Sequence, residues 1–197
     1  MAIPALLCRD FSLAYVTEHS LYMCTCVQGL AACGVINSSQ CSCKDHPFSV
    51  LQRPGGSSMV HAKCLTVWYT SPLNVALLLN NSEVRHLSLV RCSPPGGKAA
   101  SHDSFSVQRL ERLSVSYPAW RAGQSHDVVL GRDMGVPYHE EARVAIIHTS
   151  ILMGKATLKA YTVQTKADAN GVLPFPNVRM SQIGLPEASV MFVTFLY

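Results

Sequence analysis

Apolar and polar residues alternate along much of the chain after His61, and this alternation predicts a body of short β-strands. Thr66, Ser88 and Ser114 each lie between apolar neighbours, as expected for strands with one face in a core. The predicted strands are rich in β-branched and aromatic residues and cover 64–70, 86–92, 112–117, 144–149, 159–165 and 191–197.

One segment between the first two strands is predicted to be helical. Ser71 suits the N-cap, Pro72 suits the first helical position, and the apolar stretch continues through Leu79. The segment 104–113 is ambiguous between helix and strand, and Asn170-Gly171 predicts a turn.

An apolar residue followed by others at the third and fifth positions recurs along the body, as in the L-x-x-L-x-L unit of a leucine-rich solenoid. The instances are Ala62-Leu65-Val67, Val84-Leu87-Leu89, Leu110-Leu113-Val115, Leu158-Tyr161-Val163 and Val190-Val193-Phe195. Because their spacing is irregular, we interpret the fold as a strand-rich α/β, irregular leucine-rich-repeat-like, single-sheet solenoid with an N-terminal disulfide clasp. The alternative is a β-sandwich or a mixed α+β fold.

Composition shifts along the chain predict four segments. They are an atypical N-terminal segment at 1–23, a cysteine-rich clasp at 24–45, a Pro/Gly/Ser linker or loop at 46–60 and the strand-rich body at 61–197.

Charge and hydropathy exclude two classes of protein. The net charge is +4 and the basic residues are scattered, whereas nucleic-acid binding favours a basic patch or stripe. No apolar run approaches the roughly 20 residues of a membrane-spanning helix. We therefore expect no nucleic-acid partner and no membrane span.

The clasp holds five of the eight cysteines, as two C-x-C pairs around Cys33. One intervening residue places both thiols of a pair on the same face of an extended segment, and such close neighbours cannot easily bridge each other. Structural zinc sites prefer two to four intervening residues, and a redox C-x-x-C motif is absent from the sequence. The pattern favours disulfides over a metal site or a reactive thiol.

The cysteine count limits the pairing. All eight are disulfide candidates: Cys8, Cys24, Cys26, Cys33, Cys41, Cys43, Cys64 and Cys92. Five clasp cysteines cannot all pair with one another, so at least one must bond outside the clasp. In parallel strands, Cys64 and Cys92 would lie roughly 20 Å apart and could not pair, whereas an antiparallel hairpin would allow their bridge.

Two N-x-S sequons, at Asn37 and Asn80, are glycosylation candidates and, with the cysteines, point to an oxidising compartment. The first residues, "MAIPALLC", lack the basic region and the apolar length of a signal peptide. We therefore expect this N-terminus to be atypical, which argues against export of this form.

Aromatic residues are the candidate interface anchors, namely Trp68, Tyr69 and Trp120. The alternative is that they pack in the core. His102-Asp103-Ser104 contains the letters of a hydrolase triad, but triads are assembled in space, and the chain has no G-x-S-x-G elbow. We predict no catalytic residues, no metal site and no cofactor.

Several motifs resemble one family of small vertebrate secreted proteins, the exosomal polycystin-1-interacting proteins. They are "CTC", "AACG", "CSCK", "LTVWYT", "ALLLNNSEVRHLSLVRC", "LERLSVSYP", "TLKAYTVQT" and "VTFLY", which extend from about Phe11 to the end with a poor match over 93–140. The resemblance implies export, an extracellular or vesicle-associated location, no nameable enzymatic activity and a polycystin-type receptor as partner.

The leading hypothesis is a secreted or vesicle-associated, disulfide-stabilised protein that is not an enzyme and binds another protein. The rival hypotheses are an intracellular protein that binds metal through its C-x-C pairs and a hydrolase assembled from distant Ser, His and Asp residues.

Overall fold

The structure, a computed structural model, describes residues 11–27, 30–52, 60–93, 104–117, 126–131, 144–153, 160–164, 178–180 and 192–196. The first three strands are β1 Phe11–Val16, β2 Leu21–Cys26 and β3 Cys41–His46, followed by a 3₁₀ helix, Phe48–Gln52. Then come β4 His61–Tyr69, α1 Pro72–Leu79, β5 Ser82–Arg91, β6 Ser104–Gln108, β7 Arg112–Tyr117, β8 His126–Gly131 and β9 Val144–His148. A second 3₁₀ helix, Thr149–Met153, precedes β10 Ala160–Gln164, β11 Val178–Met180 and β12 Phe192–Leu196.

Helix α1 begins and ends where the sequence predicts. Ser71 is extended at the N-cap, with φ −110° and ψ 104°, and Pro72 follows at the start of the helix. The backbone N–H of Asn80 closes the last turn by donating to the carbonyl of Ala76. The helix is apolar on nearly all sides, as expected for a helix buried between other elements.

The described strands form one mixed sheet in the order β12-β10-β9-β6-β5-β4-β1-β2-β3. A branch carries β7, β8 and β11, because β5 pairs with β6 through Ser82 and Glu83 and with β7 through 86–90. Strands β1, β4, β5 and β7 run parallel, and antiparallel strands flank them. The strand-rich α/β description is thereby confirmed, and the described sheet is open.

The repeated apolar spacing corresponds to stacked positions on the parallel strands. Leu65 pairs with Leu87, which pairs with Leu113. Two residues further along, Val67, Leu89 and Val115 form a second row. The last two instances of the apolar spacing lie in register on β10 and β12. These strands are parallel, with Tyr161 opposite Val193 and Val163 opposite Phe195. Antiparallel β9 separates these strands from the first three, so the stack of parallel strands is interrupted.

The main core lies on one face of this sheet, where the two Leu/Val rows pack against α1 and both 3₁₀ helices. Burial of these aliphatic side chains is the main stabilising contribution, at roughly 1.5–3 kcal/mol for each fully buried one. Two polar groups reinforce it, since the Tyr69 hydroxyl and the Arg91 guanidinium both donate to the carbonyl of Leu152 at 3.0 Å. These bonds attach the second 3₁₀ helix to β4 and β5.

The N-terminal residues contribute more than their sequence pattern predicts. Strand β1, which lies in the N-terminal segment at 1–23 where no strand was predicted, is located between β2 and β4 and is paired with both. The clasp and the body therefore belong to the same sheet. In the part of the chain that is described, no helix has the length and apolar character to span a membrane.

Candidate functional site

The clasp is a two-stranded antiparallel ladder closed by two cross-strand disulfides. Strands β2 and β3 pair so that Cys24 lies opposite Cys43 and Cys26 lies opposite Cys41, and both pairs are bonded. Their Cα atoms are 4.0 and 4.1 Å apart, the close spacing of pairs that do not exchange backbone hydrogen bonds. The single residue between the cysteines of each C-x-C pair thus places two bridges side by side on one face of the hairpin. Because these sulfurs are bonded to each other, they are not thiolate ligands for a metal.

Cys33 forms the bond that leaves the clasp. It is bonded to Cys92, immediately after β5, across a sequence separation of 59. Strands β4 and β5 are parallel, and Cys64 does not pair with Cys92. Cys64 is itself disulfide-bonded, while Cys8 lies outside the described residues.

The Cys33–Cys92 bridge holds the loop between β2 and β3 across the second face of the sheet. Cys33 has a positive φ of 58°, and the N–H of Gly34 donates to the carbonyl of Ala31 at 2.9 Å. A Cβ added at Gly34 would lie 2.9 Å from that oxygen, so this tight turn favours glycine. The turn directs Ile36 back toward the sheet, where it packs against a second buried cluster.

Between this loop and the sheet lies a cleft with a volume of about 380 Å³. Its floor is a row of aromatic side chains on neighbouring strands, because Tyr15 pairs with Tyr22 on one side and with Trp68 on the other. The walls are formed by Cys33, Gly34, Ile36 and Cys43. We call this feature the aromatic cleft.

Exposed apolar side chains are concentrated in β2 and in the loop that follows it. Among the described residues, the exposed large hydrophobic side chains are Tyr22 at 37%, Val27 at 81%, Val35 at 90% and Ile146 at 40%. Three of these four belong to β2 or to the loop that follows it. Exposed apolar surface beside a concave aromatic site is typical of a protein-binding surface.

The predicted interface residues have different locations. Trp68 lines the cleft floor and exposes only 3% of its surface, while Tyr69 faces the main core and is fully buried. Adjacent strand residues point to opposite faces of the sheet, so Tyr69 lies on the other side from Trp68. Because Tyr69 is fully buried there, it is not part of the protein surface. Trp120 lies outside the described residues. Tyr15 and Tyr22 also line the cleft and were not predicted from the sequence, although both lie on short strands, where every second residue faces the same side.

The two sequon asparagines are both exposed. Asn37 lies in the loop over the cleft, and its side-chain oxygen accepts the N–H of Ser39 in a local turn. The side-chain oxygen of Asn80 instead accepts the N–H of Ser106 at 3.1 Å, which ties it to β6. Asn37 is thus the less constrained of the two.

A charged group lies at the start of the parallel strands. The carboxylate of Glu111 is 3.5 Å from the Arg85 guanidinium and 3.3 Å from Nε2 of His86. Burial lowers the pKa of His86 below its usual value, and the attraction of Glu111, which is opposed by nearby cations, does not reverse the shift. Among the described residues, Nδ1 of His86 is buried without a hydrogen-bond partner, consistent with a neutral ring.

The chain matches the model of a known protein family. A family model described as exosomal polycystin 1 interacting protein matches residues 7–197 and so includes 93–140, where the motifs alone matched poorly. No curated protein and no solved structure matches the chain.

Replacing both members of the Cys33–Cys92 bridge, as Cys33→Ser with Cys92→Ser, is expected to lower the free energy of unfolding by about 4 kcal/mol, because it releases a long loop in the unfolded chain. Urea denaturation measures the change. The matched control is Cys26→Ser with Cys41→Ser, which should lose less than about 3 kcal/mol, because its loop is shorter and the remaining Cys24–Cys43 bridge closes nearly the same loop. A smaller loss for the Cys33–Cys92 variant than for the control would contradict a major role in holding the loop.

The lowered pKa of His86 predicts that stability falls as the pH falls. In the unfolded state, His86 takes up a proton near the usual histidine pKa, whereas in the folded state it does so only at lower pH. The contribution of neutral His86 to the free energy of unfolding is therefore complete above the unfolded pKa and is lost as the pH falls toward the folded pKa. Urea denaturation between about pH 8 and about pH 5 tests this. His86→Gln should reduce the loss, and His61→Gln, at a histidine that is 66% exposed, should not. Equal pH dependence in wild type and His86→Gln would exclude His86 as the cause.

Proposed function

The chain belongs to the exosomal polycystin-1-interacting protein family, and on this premise we propose that it is an exported, non-enzymatic protein that binds another protein outside the cell. The single observation that carries the proposal is the family match over nearly the whole chain. The proposed partner is a polycystin-type receptor, because that is the interaction in the family's description.

The disulfides support an extracellular or vesicle location. Three bridges are described within one end of the sheet, and such bonds persist in oxidising compartments, whereas cytosolic thiols are kept reduced. They also argue against the rival hypothesis of an intracellular metal site, because bonded sulfurs cannot act as thiolate ligands.

The aromatic cleft is the proposed contact surface. Tyrosine and tryptophan are enriched among residues that dominate binding energy, and Tyr22 presents an exposed edge at the cleft. Val27 and Val35 are exposed apolar side chains in the loop between β2 and β3, and burial of such side chains by a partner is favourable. The cross-strand bridges keep this surface preorganised, which lowers the entropy that binding must offset.

Export predicts glycosylation at Asn37. Expressed behind a cleavable signal peptide in vertebrate cells, the secreted protein should show a mobility shift that a glycosidase removes, and Asn37→Gln should abolish it or reduce it. Ser39→Ala is the matched control, because it removes the sequon but keeps the asparagine. Asn80→Gln, tested separately, should change the shift less. Retention of the whole shift in both Asn37→Gln and Ser39→Ala would contradict the assignment.

The proposed surface predicts that Tyr22→Ala weakens binding to a polycystin-1 ectodomain by about tenfold, the loss expected for a residue contributing about 1.4 kcal/mol. Surface plasmon resonance with the secreted protein measures this. Ile146→Ala is the matched control, since Ile146 is similarly exposed but lies on β9. If both variants bind as wild type does, the cleft is not the contact surface. If the wild type itself does not bind, the polycystin assignment is wrong.

A further inference from the structure

The Cys24–Cys43 bridge differs from its neighbour in accessibility. Cys43 is exposed and lines the aromatic cleft, whereas Cys24 exposes only 3% of its surface. In the adjacent bridge both residues are buried, with Cys26 at 1% and Cys41 at 6%. A thiolate can therefore reach a sulfur in the first bridge more readily than in the second.

The position of β3 determines the direction of approach. Within the described sheet, β3 is the terminal strand, and its pairing partner is β2 alone. Displacement at a disulfide requires the attacking sulfur to approach opposite the sulfur that leaves. For attack on Cys43, that approach comes from beyond the outer edge of β3, whereas attack on Cys24 would have to come through the buried side.

We propose that Cys24–Cys43 is a thiol-exchange site at which Cys43 takes up a low-molecular-weight thiol. The thiolate of the small molecule bonds to Sγ of Cys43, the Cys24–Cys43 bond breaks, and its electron pair remains on Sγ of Cys24. The small thiol is oxidised into a mixed disulfide and Cys24 is reduced, taking a proton from solvent to become a thiol. No further oxidant or reductant is required.

The rest of the clasp keeps its structure when the Cys24–Cys43 bond is exchanged. Cys24 remains beside Leu13, Trp68 and Val90 in the second apolar cluster, where a neutral thiol behaves as a small hydrophobic group. The buried Cys26–Cys41 bridge and the β2–β3 ladder stay in place and keep the hairpin paired. Because Cys43 lines the cleft, the attached molecule would narrow it, so exchange would couple the thiol environment to the proposed binding surface.

The test is residue-resolved mapping of the native, secreted protein treated with excess reduced glutathione. After acid quenching and alkylation, peptide mass spectrometry should find glutathione on Cys43 and the alkyl label on Cys24. Both should appear at least about tenfold faster than any label at Cys26 or Cys41, which are buried, because exchange rates follow access. Circular dichroism recorded in parallel should remain unchanged.

Two paired variants act as controls. Cys26→Ser with Cys41→Ser should retain glutathione uptake on Cys43, whereas Cys24→Ser with Cys43→Ser should abolish rapid uptake. The proposal is overturned if the Cys26–Cys41 or Cys33–Cys92 bridge exchanges first, if glutathione appears on Cys24 instead, or if labelling accompanies loss of the native spectrum. These outcomes are read on the isolated protein and so are independent of whether it binds a polycystin.

Discussion

The parallel pairing of β1 with β4 joins the clasp to the body and determines most of what surrounds the candidate site. It inserts β1 between β2 and β4, so the β2–β3 hairpin continues the sheet that the Leu/Val rows begin. The same register places Tyr15 beside both Tyr22 and Trp68. Without this pairing, the aromatic row would be divided between two separate elements.

Strand alternation then gives the two faces different roles. In β1 and β4, Val16 and Tyr69 point to the face covered by α1 and the 3₁₀ helices, while Tyr15 and Trp68 point to the other face. The first face is closed by helices and stabilises the fold. Among the described residues, the second face is covered by the loop that the Cys33–Cys92 bridge attaches to the sheet, and the space between that loop and the sheet is the aromatic cleft.

The positions of the disulfides follow from the order of the strands in the sheet. Two bridges close the terminal hairpin, where β3 has a paired neighbour on one side only within the described sheet, and a third holds the hairpin loop near the end of β5. Their different exposure follows from position, since Cys26 and Cys41 belong to the second apolar cluster, whereas Cys43 is exposed and lies outside it. A structural clasp and a chemically accessible bridge can therefore occur in one hairpin.

Much of this protein follows from local sequence pattern. Local pattern was enough to predict the bounds of α1, the strand character of the body, the stacked apolar spacing and the joint placement of each C-x-C pair, because each depends on residues close together in the chain. Cysteine parity also required a bond out of the clasp. The sequence could not select Cys92 as the partner of Cys33, the place of β1 in the sheet, or which of Trp68 and Tyr69 would face the cleft. These features follow from the three-dimensional fold, because strand partners, register and the covered face depend on contacts between residues far apart in the chain.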